Sequence, residues 1–159
     1  MKTATVSELK KELQHLSQTE LIETCLILSK FKKENKELLT YLLFEATNEN
    51  QFIINVKEEI SKEFNTINCT SYFYMKKSVR KILRITKKYI RYSKNKETEI
   101  DLLVFFCEEL KKLKPSIKNN ISLSKIYNKQ ILFIKKNLSK LHEDLQYDYN
   151  LKMNNLHSQ

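Results

Sequence analysis

The chain contains no glycine, no tryptophan and a single proline, Pro115, in 159 residues. Average usage would supply about eleven glycines. Without them the backbone has no residue that takes up positive φ at no steric cost. Dinucleotide-binding fingerprints, P-loops and glycine-dependent hairpin turns are therefore excluded as motifs. Cysteine is also scarce: Cys25, Cys69 and Cys107 are an odd number without Cys-x-x-Cys spacing, which argues against a disulfide framework or a zinc site. The longest apolar run, Leu102 to Cys107, falls far short of the roughly 20 residues that span a bilayer. The N-terminal MKTATVSELKKEL lacks the apolar core of a signal peptide. These absences together lead us to expect a cytoplasmic protein with no membrane span.

Catalytic chemistry is missing in the same way. His15, His142 and His157 are not spaced as metal ligands, and His142-Glu143 lacks the second histidine of a zincin helix. The carboxylate pairs Glu58-Glu59, Glu108-Glu109 and Glu143-Asp144 are adjacent in sequence; on a helix they diverge by about 100° instead of sharing a proton. No base or oxyanion hole can be assigned to any of the three thiols. The expectation is a protein that is not an enzyme and holds no cofactor and no metal.

What the chain has is Leu, Ile, Lys and Glu at helical spacing, with 41% hydrophobic and 30% charged residues. The class is all-α. We expect a single domain over residues 1–146, with six or seven helices packed as successive antiparallel hairpins, and a frayed C-terminal tail over 147–159. Capping boxes mark two starts, Thr5 with Glu8 and Ser17 with Glu20. Pro115 ends a later helix. Leu21, Leu26, Leu42, Val56, Ile60, Leu83, Val104 and Ile134 are the expected core. In the last helix Tyr127, Ile131, Ile134, Leu138, Leu141 and Leu145 form a seam of coiled-coil spacing. Ile126, Leu132 and Phe133 widen it, so packing inside the domain is favoured over a dimer seam, and the expected state is a monomer or a weak homodimer through that helix.

One stretch carries nearly all the asymmetry. Between Lys76 and Lys96 stand ten Lys or Arg, including all three arginines, and no acid; the remaining 19 basic residues match the 19 acidic ones, so the net charge of +10 belongs to this segment. Residues 72–92 read as one amphipathic helix. Met75, Val79, Ile82, Leu83, Thr86, Tyr89 and Ile90 lie on one arc. Lys76, Lys77, Arg80, Arg84, Lys87, Lys88 and Arg91 lie on the other. Like-charged neighbours along the basic arc cost roughly 2–4 kcal/mol before screening, a repulsion that either acids of the same fold or an external polyanion would relieve.

The stretches LKKELQHLSQTELIETCLIL, KENKELLTYL, ISKEF and KKSVRKILRITKKYI together resemble a family of small helical bacterial proteins classed only as a domain of unknown function. The resemblance covers roughly Ser7 to Leu145. It implies a bacterial, intracellular helical domain and carries over no functional residues.

Three readings of the basic helix stay open. Its cations pair with Glu58, Glu59, Glu63, Glu97, Glu99 and Asp101 of neighbouring helices. Or they track a nucleic-acid backbone without sequence specificity, with Tyr72, Tyr74 and Tyr92 placed to stack on bases. Or they meet an acidic protein, the helix serving as an interaction or scaffold surface. Arginine's fork suits phosphate, which favours the second reading.

Overall fold

The computed structural model describes residues 2–157, with the side chains of Asn155 and His157 outside the description. Among the described residues there are eight α-helices and no strand, one helix more than the upper expectation. Two compact units divide the chain, one up to Phe44 and one from Glu45 onward.

The first unit holds α1 (Val6–Leu13), α2 (Gln18–Phe31) and α3 (Lys33–Thr40). Both expected capping boxes form. The Glu8 amide donates to the Thr5 hydroxyl while the Thr5 amide donates to the Glu8 carboxylate at 2.7 Å, and Ser17 and Glu20 do the same. These bonds favour the ionised acids, so the Thr5 amide and hydroxyl hold the Glu8 carboxyl below its ordinary range, as the Ser17 hydroxyl and amide do for Glu20. Asn35 closes α2: its side-chain amide donates to the Leu28 carbonyl at 2.8 Å, and Lys32 in extended backbone separates α2 from α3. None of the three helices has a fully buried residue. Leu21 is half-buried and Leu26 is exposed, as is Leu42 in the π-helical turn Tyr41–Glu45 that follows. The expected core therefore fails at these three positions, because three short helices supply too little chain to enclose side chains spread around α2.

The second unit contains α4 (Glu49–Asn65), α5 (Tyr72–Ser93), α6 (Lys96–Lys112), a short 3-10 turn (Ile117–Asn119), α7 (Ile121–Leu138) and α8 (Glu143–His157). Helix α6 is its centre, and α4, α5, α7 and α8 all pack on it. Ile100, Leu102, Leu103, Val104, Phe106, Cys107 and Leu110 are buried and cover about 200° of its circumference, a buried face much wider than that of a surface helix, with Asp101, Glu108 and Lys112 on the remaining side. Val56, Ile60, Val104 and Ile134 are buried as expected. Asn95 rather than Thr98 caps α6, accepting from the Glu97 amide at 2.8 Å. Thr98 lies inside the helix, buried, its hydroxyl on Glu49 at 2.6 Å.

Two C-terminal expectations are corrected. The seam from Tyr127 to Leu145 is interrupted: α7 stops at Leu138, and a turn leads into α8. Ile131, Ile134 and Leu138 are buried, with α7 packed on α6, so these positions of the seam are used within the fold. The tail expected to fray from residue 147 is helical to residue 157, with Tyr149, Met153 and Leu156 buried. Its last turn is fixed by the Leu156 carbonyl, which accepts from the Lys111 ammonium at 2.8 Å and the Tyr127 hydroxyl at 3.2 Å. Ser158 and Gln159 lie outside the described residues.

Helix α5 buries Met75, Val79, Ile82, Thr86, Ile90 and Tyr92. The seam is centred on Ile82 (1% exposed), while Leu83 is only half-buried at the edge. Ile82→Ala should cost about 2–5 kcal/mol and Leu83→Ala clearly less. Urea melts of the two variants check the order, and equal losses would place the seam elsewhere.

Candidate functional site

The buried seam of α5 determines which of its residues face water. Glu63 on α4 receives the Lys81 ammonium at 2.8 Å, Glu59 accepts from the Tyr89 hydroxyl at 2.6 Å, and Glu49 accepts from the Ser93 hydroxyl. With that edge held, Lys77, Arg80, Arg84, Lys87 and Arg91 are exposed and Lys76 and Lys88 half-buried. At about 100° per residue, Lys76, Arg80, Arg84, Lys87 and Arg91 fall within roughly 80° and so form one stripe.

Acids of the fold do little to neutralise that stripe. Among the described residues, Lys76, Lys77, Arg80, Arg84, Lys87 and Arg91 have no carboxylate within 4.0 Å. The acids expected to pair with it are engaged elsewhere: Glu58 faces Lys62 at 4.0 Å, and Asp101 holds Lys57 at 2.5 Å and Lys152 at 3.8 Å. Glu63 reaches a lysine of α5, Lys81, at the edge of the arc. Glu99 comes nearest to the stripe itself, lining a recess of about 210 Å³ with Lys87, Ile90, Arg91, Leu103, Gln130 and Phe133.

The N-terminal half of the arc forms a shallow trough of about 700 Å³ lined by Phe73, Lys76, Lys77, Arg80, Lys81 and Arg84 around Ser78, with no acid in its wall. Phe73 is 66% exposed and meets Tyr74, 50% exposed, edge-on at 5.5 Å between ring centroids. Sequence reasoning overlooked Phe73, although its spacing to Lys77, Arg80 and Arg84 puts it in the middle of the basic arc.

The three tyrosines expected to stack on bases are treated very differently by the structure. Tyr74 is exposed. Tyr72 is half-buried, its hydroxyl donating to the Ser116 carbonyl at 2.9 Å. Tyr92 is buried, with its ring edge-on to Tyr89 at 5.9 Å; a base cannot reach it, and its assignment as a stacking residue is withdrawn. At roughly 160° from Lys76, Tyr92 belongs to the flank of the helix that faces α4.

Comparison with protein-family models gives no match. Neither the curated proteins nor the solved structures yield one. The family resemblance therefore rests on the residues quoted for it.

Among the described residues no group of three His, Cys, Asp or Glu could hold a metal, and no helix is long and apolar enough to cross a membrane. Cys25 is exposed, Cys69 half-buried and Cys107 buried. Burial, aided by Glu108, pushes the Cys107 thiol up to about 12, which keeps it protonated and unreactive at neutral pH. Burial also raises Tyr149, helped by Asp101 and Glu97.

Two outcomes follow. Tyr92→Ala should destabilise the protein by about 3–5 kcal/mol, as for other buried aromatics, whereas Tyr74→Ala should stay within about 0.5 kcal/mol; thermal melts separate them. The raised acids also set an alkaline limit. Cys107 is neutral in the folded chain but ionises from its ordinary value of 9.0 when unfolded. Its contribution is thus complete below pH 9 and is lost as pH rises toward its folded value of about 12, at no more than ~1.4 kcal/mol per pH unit. Urea midpoints should fall between neutral pH and about pH 11, and Cys107→Ala should flatten that fall.

Proposed function

We propose that this chain is a cytoplasmic helical binding module whose α5 face grips the phosphate backbone of nucleic acid without sequence specificity. One observation carries the reading: Lys76, Lys77, Arg80, Arg84, Lys87 and Arg91 line one face of one helix without a carboxylate partner among the described residues. From Lys76 to Arg91 the stripe is about 22 Å long at 1.5 Å per residue. That length spans about six phosphates of one strand at 3.4 Å each. Arginine forks bind phosphate oxygens in pairs, and Phe73 and Tyr74 at one end supply rings on which an unpaired base can stack. The exposed rings favour a single strand over an acidic protein surface, which would present charge alone.

The expected hairpin arrangement belongs to the same reading. It is supported by the order of the α4–α5 contacts, Glu63 with Lys81, Glu59 with Tyr89 and Glu49 with Ser93, which run in opposite directions along the two helices. That arrangement keeps the acids of α4 on one flank of α5 and leaves the stripe facing away from them.

Fluorescence anisotropy with labelled single-stranded DNA over a salt series tests the proposal. Binding should weaken with a log-log slope of about −4, for six phosphates at ~0.7 each. Arg80→Glu with Arg84→Glu should abolish it without loss of helicity, and Phe73→Ala should weaken it by ~1–3 kcal/mol. No binding at low salt, or retention on heparin no greater than that of charge-matched controls, would overturn the reading.

A further inference from the structure

We propose that the N-terminal unit is a dimerisation arm, in which α2 pairs antiparallel with α2 of a second copy of this chain. The first ground is burial. On α2, Ile22, Leu26, Ile27, Leu28 and Phe31 are 54, 47, 67, 55 and 77% exposed. Of these, Leu26, Ile27 and Phe31 fall within about 140° of one another on the side that carries Glu23 and Lys30, and they present on the order of 400 Å² of apolar surface, taking roughly 200 Å² for a large side chain. That is already at the level of the largest patch usual on a monomer. Helix α3 covers only the side of α2 marked by half-buried Leu21 and Thr24. The apolar residues continue around the remaining circumference, the pattern of a helix that is enclosed when in use.

The second ground is charge, and it names the occupant. The residues up to Phe44 carry seven lysines against six glutamates, so two copies of the arm do not repel; the rest of the chain, with 22 basic and 13 acidic residues, would. Within α2 the charges are polar along the axis. Glu20 and Glu23 stand at its N-terminal end, Lys30 at its C-terminal end, and Lys32 and Lys33 follow directly. A twofold axis between Leu26 and Ile27 sets Glu23 level with the partner's Lys30, reciprocally, and sets the two helix dipoles against each other. Parallel pairing would instead bring like charge beside like. Neither Glu23 nor Lys30 has an ion-pair partner among the described residues, and both are exposed, so both are free for this use. The interface uses no residue of α5 and does not depend on the nucleic-acid reading.

Sedimentation equilibrium on nuclease-treated protein freed of nucleic acid on a heparin column and returned to low salt, where the ion pairs are not screened, tests it over a concentration series without bridging by nucleic acid. The wild type should reach twice the 19.1 kDa of one chain. Glu23→Lys alone and Lys30→Glu alone should each weaken the dimer at least tenfold, with helicity unchanged by circular dichroism. An equimolar mixture of the two variants should restore it, since each then offers the charge that the other lacks. A wild type that stays monomeric throughout overturns the proposal, leaving the arm to its own chain or to another protein. So does a dimer that both single variants keep, which would place the contact elsewhere. A mixture that fails to restore the dimer overturns the antiparallel arrangement.

Discussion

Helix α6 is apolar over more than half of its circumference, and such a helix is stable only when other elements take that surface out of water. With Leu102, Leu103, Phe106, Cys107 and Leu110 at 0–1% exposure, that condition is met by α4, α5, α7 and α8 together. Each of the four has one face committed to α6 and one left for solvent. For α5 the commitment is made by Met75, Val79, Ile82, Thr86 and Ile90. Even Thr86 fits, since its hydroxyl donates to the Ile82 carbonyl at 3.0 Å and leaves no orphaned group. The basic arc is thus exposed as a consequence of packing on the other side.

The same constraint explains how an arc of like charges is tolerated. Its repulsion is a few kcal/mol at most and is screened by salt, whereas each large apolar side chain taken fully out of water returns about 1.5–3 kcal/mol. The four apolar seam positions, Met75, Val79, Ile82 and Ile90, outweigh the arc even after conformational entropy is charged against them. Lys81 with Glu63 relieves one edge, and Lys88, 4.8 Å from the Tyr89 ring centroid, rests on an aromatic face. No comparable relief reaches the middle of the stripe.

Period and caps made most of this legible in the sequence. The helical class, both capping boxes and the burial of Val56, Ile60, Val104 and Ile134 follow from spacing alone. The basic arc does too, because a 3.6-residue repeat assigns faces without knowledge of the neighbours. What spacing cannot supply is whether a wide apolar face finds neighbours on every part of it. Leu102 to Cys107 and Leu26 to Leu28 are similar apolar runs, yet the first is enclosed and the second exposed. The difference lies in how much chain surrounds each. Tyr92 and Tyr74 show the same limit at the site: both flank the stripe, and only the position of α4 decides which is covered. The C-terminal tail was misread because its apolar residues, Tyr149, Met153 and Leu156, are sparse and set among Asn, Asp and Lys, so its helix depends on contacts with α6 and α7.

The absence of glycine has its structural consequence at the end of α5. The helix closes on Lys94 at φ 56°, in the left-handed region where glycine is the usual residue. For lysine this conformation costs on the order of 1 kcal/mol, so the turn must be held from outside itself. The Lys94 amide donates to the Ile90 carbonyl at 2.9 Å, the Asn95 amide donates to the Ser93 hydroxyl at 3.2 Å, and Ser93 in turn donates to Glu49, which also receives Thr98. One carboxylate of α4 therefore ties the end of α5 to the first turn of α6. The corner that orients the basic helix is maintained by this hydrogen-bonded junction, and a strained backbone there is supported by tertiary contacts in place of the local freedom that glycine would provide.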